Sequence, residues 1–68
     1  MQNQLMRLRT INHMTQEELA VKAGVSRQTI ISLEKGKYNP SLQLASKLAR
    51  IFQKPIEEIF TPKEVNEA

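Results

Sequence analysis

Five side chains within one short stretch carry the chemistry of this chain. In SRQTIISLEKG, residues 26–36, they are Arg27, Gln28, Ile31, Ser32 and Lys35. Ile30 and Leu33 are one helical turn apart, so a helix here turns them to one side and the other five to the opposite side. An Arg fork matches guanine O6 and N7, and a Gln amide matches adenine N6 and N7. Ile31 is apolar on an otherwise wet face and suits thymine methyl groups. Taken singly, each fits an ordinary solvated helix, with Ile31 at the core edge. The flanking turn, the caps and the basic residues that follow favour DNA contact.

The elements that must position these residues lie in TQEELAVKAGVSRQTIISLEKG, residues 15–36. Thr15 N-caps a first helix, and Glu18 three residues later completes a capping box. Leu19, Ala20 and Ala23 give that helix its apolar stripe. Gly24 supplies the left-handed residue that ends it. Val25 plugs the turn, Ser26 N-caps the second helix, and Gly36 ends it. Two short helices joined by a Gly-containing turn form a helix-turn-helix unit, whose second helix fits the major groove.

Composition narrows the alternatives. A chain of 68 residues is one small domain. It has no Cys, no Asp and a single His, His13. Disulfides and thiolate metal sites are excluded, and no His/carboxylate cluster is available for a metal. Helix packing, aided by dimerisation, must hold the domain together. Formal charge is +3. Residues 1–40 carry six Lys/Arg against three Glu, so the excess falls on the half that would meet phosphate. No run is long and apolar enough for a membrane span, and no secretory signal pattern opens the chain. These readings lead to a cytoplasmic location. Enzyme chemistry is not expected: Ser26, Ser32, Ser41 and Ser46 have no histidine base at a credible position. The Glu residues show no pairing, and no Gly-rich phosphate loop exists, so neither catalysis nor a cofactor is expected.

The rest of the chain frames the unit. Residues 2–12 read as a helix with Leu5, Leu8 and Ile11 on one face and Arg7 and Arg9 off it. Asn12 and His13 end it, and Asn tolerates the left-handed conformation such an end needs. His13 reads as an exposed turn residue. If this helix packs across the second helix of the unit, Arg9 and Glu34 form a partly buried, bidentate pair with a structural role. Lys35, Lys37, Tyr38 and Asn39 surround the end of the recognition helix, and suit phosphate oxygens. The alternative for Tyr38 is a cover over the core. Gln16 sits where free N–H groups and the helix dipole attract an anion. A fourth helix starts near Ser41, with Leu42, Ala45, Leu48, Ala49 and Phe52 inward. Gln53 and Lys54 break it, and Pro55 begins a short fifth. Leu44, Ile51, Ile56, Ile59 and Phe60 exceed what one small core needs, so a dimer interface is expected there. Residues 61–68 read as a tail, disordered or ordered in a dimer.

With these segments in view, the chain resembles the Xre/Cro-type helix-turn-helix regulators, related to the lambdoid phage repressors. MTQEELA (14–20), GVSRQTI (24–30), LEKGKYNPSLQLA (33–45) and PIEEIF (55–60) carry the resemblance, in the family's order and spacing. It looks closest to small stand-alone regulators, including cytolysin-type repressors. The resemblance implies an all-α, compact five-helix bundle over residues 1–60. It implies a homodimer on a palindromic operator. By motif position Arg27, Gln28, Ile31 and Ser32 become base contacts, and Gln16, Lys37, Tyr38 and Asn39 backbone contacts. Arg9 and Glu34 match a structural pair. The family usually has Gly where His13 stands, and often where Gln53 stands. The expected function is a sequence-specific transcriptional regulator, a repressor, that inserts residues 27–35 into the groove. The alternative is an antitoxin or adaptor module, with residues 56–60 and the tail holding a protein partner.

Overall fold

Each helix starts where a side chain can satisfy its free N–H groups. In the computed structural model, which describes residues 3–61 and Val65, four α-helices follow one another. They are α1 (Leu5–Ile11), α2 (Gln16–Ala23), α3 (Arg27–Glu34) and α4 (Leu42–Phe52). A single 3-10 turn, Ile56–Glu58, stands where a fifth helix was expected. The architecture is all-α, with four helices rather than five among the described residues. The segment closes with the three-residue bonds of Glu58 N–H to the Pro55 carbonyl and Ile59 N–H to the Ile56 carbonyl, and a single four-residue bond, Phe60 N–H to the Ile56 carbonyl, follows.

Thr15 and Glu18 form the reciprocal capping box of α2. The Glu18 N–H donates to Thr15 Oγ1 at 3.0 Å, and the Thr15 N–H donates to Glu18 Oε1 at 2.8 Å. Ser26 Oγ accepts the Thr29 N–H at 3.1 Å, and Ser41 Oγ accepts the Leu44 N–H at 3.1 Å. The first helix has no such residue and is shorter than expected. Asn3 serves it instead: its Oδ1 accepts the Leu5 N–H at 3.0 Å, while its Nδ2 donates to the Leu33 carbonyl at 2.7 Å. The start at residue 2 lies outside the described residues.

All four helices end in the same double hydrogen bond around one left-handed residue. Gly24 (φ 72°) and Gly36 (φ 73°) fill that place after α2 and α3. After α1 and α4 it is filled by His13 (φ 58°) and Gln53 (φ 54°). The Met14 N–H reaches the Arg9 carbonyl at 3.0 Å, and the Lys54 N–H reaches the Ala49 carbonyl at 3.0 Å. The left-handed residue after α1 is therefore His13 and not Asn12, which has φ −90°. A side chain in this conformation costs about 1–2 kcal/mol, of which glycine's greater unfolded-state freedom returns part. His13→Gly and Gln53→Gly are each expected to stabilise the domain by about 0.5–1 kcal/mol. Thermal unfolding checks this, as a rise of roughly 4–8 °C per kcal/mol for a domain of this size.

The core joins every element. Leu5 and Leu8 of α1, Leu19, Ala20 and Ala23 of α2, and Ile30 and Leu33 of α3 are buried in it. Leu44, Ala45, Leu48 and Phe52 of α4 complete it with Ile59 and Phe60, while Val25 is half-buried against them. Two stripe assignments need correction. Ile11 is 57% exposed, because residues spaced three apart drift by about 60° per step around a helix. On α4 the buried arc centres on Leu48, between Leu44 and Phe52, so Leu44 turns inward and Leu42 turns out.

Burial also takes up most of the surplus of apolar side chains. Leu44, Ile59 and Phe60 belong to the protomer's own core, and of the five proposed for an interface only Ile51 and Ile56 stay half-buried. Of residues 61–68, Thr61 is exposed and Val65 packs half-buried against the core. The remainder of that segment lies outside the described residues. No helix among the described residues is long and apolar enough to cross a membrane.

Candidate nucleic-acid interface

The outer face of α3 divides into two ridges. Arg27, Ile31 and Lys35 recur at intervals of four on one, and Gln28 and Ser32 on the other. Arg27, Gln28 and Lys35 are exposed, while Ile31 and Ser32 are half-buried at the foot of the face. The order follows from the fully buried Ile30 and Leu33, which fix how the helix is turned. Among the described residues neither Arg27 nor Gln28 spends its polar head on an internal hydrogen bond.

The loop after α3 is held at both ends. The Gly36 N–H donates to the Leu33 carbonyl at 3.0 Å, and the Lys37 N–H to the Ser32 carbonyl at 3.0 Å. Pro40 is buried and leads into the cap of α4. Lys37, Tyr38 and Asn39 are thereby exposed beside the end of α3. Tyr38 is 45% exposed, so it does not act as a lid over the core. It shares an open groove with Ser26, Gln28, Thr29 and Ser32. Sequence reasoning gave Ser26 only a capping role and left Thr29 out. The signal was present in spacing: Thr29 neighbours Gln28 and lies one turn before Ser32.

Behind this face lies a charged junction. Arg9 Nε donates to Glu34 Oε2 at 2.6 Å, and Arg9 Nη2 donates to Oε1 at 3.4 Å. The Glu34 side chain is 2% exposed and that of Arg9 15%. Arg9 Nη1 also donates to the Met14 carbonyl at 2.8 Å. Gln16 Nε2 donates to Glu34 Oε1 at 3.1 Å. One carboxylate thus ties together α1, the start of α2 and the end of α3. Gln16, expected to face a phosphate, is half-buried with its amide turned to this carboxylate. No group of three or more His, Cys, Asp or Glu placed to hold a metal occurs among the described residues.

A capped pair of helices, with Arg and Gln free on the second and a basic loop beyond it, defines a helix-turn-helix recognition domain. The chain belongs to the helix-turn-helix family, of the Xre/Cro type, whose pattern matches residues 5–59. It is similar to an uncharacterized HTH-type transcriptional regulator of Methanocaldococcus jannaschii, with 58% identity over 60 residues that cover 88% of this chain and 91% of the relative. The HTH-type regulator YgzD of Bacillus subtilis is 41% identical over 66 residues, 97% of this chain and all of the relative. The cryptic phage CTXphi transcriptional repressor RstR of Vibrio cholerae is 37% identical over 59 residues, 87% of this chain and 53% of the repressor. The family and these relatives make it a transcription-regulator domain and not an enzyme.

Proposed function

We propose that this protein is a DNA-binding transcriptional repressor that acts as a homodimer on a palindromic operator. The observation that carries the reading is the exposed face of α3. Arg27 and Gln28 stand there with unspent polar heads, on a helix whose core face is fully committed. Ile31 and Ser32 would complete the base-facing set, and Lys35, Lys37 and Asn39, all exposed, would meet phosphate. The repressor sense is supported by similarity to the phage repressor RstR. In a dimer the half-bured pair Ile51 and Ile56 would form the subunit contact, with the two copies of α3 about 34 Å apart. That spacing matches one turn of DNA, so two-fold symmetry in the protein requires it in the operator.

Selection of random duplexes by the purified protein at about 150 mM salt tests the reading under conditions where specificity is meaningful. A two-fold-symmetric motif supports a sequence-specific dimer. No motif from folded protein favours a protein-binding module instead, and a lone monomer in sedimentation would point the same way. Lys37→Ala is expected to weaken all duplexes alike. It should reduce the slope of log affinity against log salt by about 1, because it removes one phosphate contact. Titrating the selected operator and a scrambled duplex across several salt concentrations measures both effects.

A further inference from the structure

Tyr38 was expected to contact phosphate, and its surroundings suit a base edge as well. The groove it shares with Ser26, Gln28, Thr29 and Ser32 contains no charged residue. Lys35 and Lys37, the nearby cations, are exposed and do not line it. Charge-assisted donors make the strongest phosphate contacts, although Tyr, Ser and Gln side chains make them too. This groove offers one amide, hydroxyls and an aromatic ring. Two of the hydroxyls are already engaged: Ser26 Oγ and Thr29 Oγ1 lie 2.9 Å apart, and Ser26 Oγ also caps α3. They shape the groove more than they add free donors. What remains free along it, among the described residues, is the Gln28 amide, the Ser32 hydroxyl, and the ring and hydroxyl of Tyr38.

The backbone segments that carry the amide and the ring are held in fixed relation. Gln28 is part of α3, and the loop that carries Tyr38 is bonded back to α3 through Gly36 and Lys37. Buried Pro40 and the capped start of α4 fix its other end. A Gln amide reads adenine, and an apolar ring edge reads the thymine methyl.

We propose that Tyr38 determines sequence specificity by packing on the 5-methyl group of a thymine in the base pair next to the one contacted by Gln28. The inference rests on α3 being the DNA-contacting helix. It extends the reading face by one base pair beyond the helix itself.

The test uses the operator recovered by selection. Gln28→Ala first marks the base pair that this residue reads, as the position where selection relaxes. A single thymine next to it is then replaced by uracil, which removes only the methyl group. Wild-type protein is expected to bind the uracil duplex about fourfold more weakly, the effect of one buried methyl. Tyr38→Phe should keep that discrimination, since the ring makes the contact. Tyr38→Ala should bind both duplexes equally, while Arg27→Ala should still distinguish them. If Tyr38→Ala keeps the preference for thymine, or if no thymine is selected there, the proposal is overturned and Tyr38 is left as a backbone contact. Recovery of no motif at all would overturn the DNA-reading role of α3, and this inference with it.

Discussion

Glu34→Ala is expected to destabilise the domain by up to about 3–5 kcal/mol, the cost of leaving a buried charge without its partner, here reduced by the partial exposure of Arg9. The substitution strips the Arg9 guanidinium of two hydrogen bonds and the Gln16 amide of one. Arg9 cannot lose its charge, and its 15% exposure gives it only limited access to water. Glu34 is also the last residue of α3, where a carboxylate meets the negative end of the helix dipole. It is tolerated there because Arg9 neutralises it. A domain this small commonly has a net stability near the low end of about 5–15 kcal/mol, so a loss at the top of that range would leave the variant largely unfolded at 37 °C. Urea denaturation followed by circular dichroism measures the loss. Glu34→Gln separates charge from shape, since its amide oxygen can still accept from Gln16 or Arg9. It should fall between wild type and Glu34→Ala. A loss under about 1 kcal/mol for Glu34→Ala would mean the junction is dispensable, as exposed ion pairs usually are.

The second large effect concerns binding. Arg27→Ala or Gln28→Ala is expected to weaken operator binding by about 1–3 kcal/mol, roughly 5- to 150-fold, and to relax selection at one base position each. Folding should be nearly unchanged, because both side chains are exposed and unbonded among the described residues. Competition between the selected operator and single-base variants separates this from a phosphate contact. A lost base contact alters the ranking of duplexes, whereas a lost phosphate contact lowers them all together. If Arg27→Ala binds its operator as tightly as wild type, the register assigned to α3 is wrong.

Local chemistry was readable where a residue and its partner are close in the chain. The capping box of Thr15 and Glu18, the Ser26 and Ser41 caps, and the left-handed Gly24 and Gly36 all depend on interactions a few residues apart. The inward pair Ile30 and Leu33 also needed only helical spacing, and it set the outward face by elimination. The ends of α1 and α4 were less legible. His13 and Gln53 are less suited than glycine to a left-handed position, and they adopt it where the Met14 and Lys54 N–H groups close the two helix ends.

Sequence alone determined the helix-turn-helix unit, its caps, the residues on the outer face of α3 and the opportunity for Arg9 to meet Glu34. These follow from the helical period and from side-chain chemistry, which act within a turn or two. Only the tertiary structure decided which apolar residues serve the core. A small rotation of α4 moved Leu44 inward and Leu42 outward, and the closure of Ile59 and Phe60 removed the surplus expected for a partner. It also turned the Gln16 amide to Glu34 and brought Tyr38 alongside Gln28 and Ser32. Those juxtapositions link residues 18 and 10 or fewer positions apart across different elements, and helical periodicity carries no information about how one element is rotated against another.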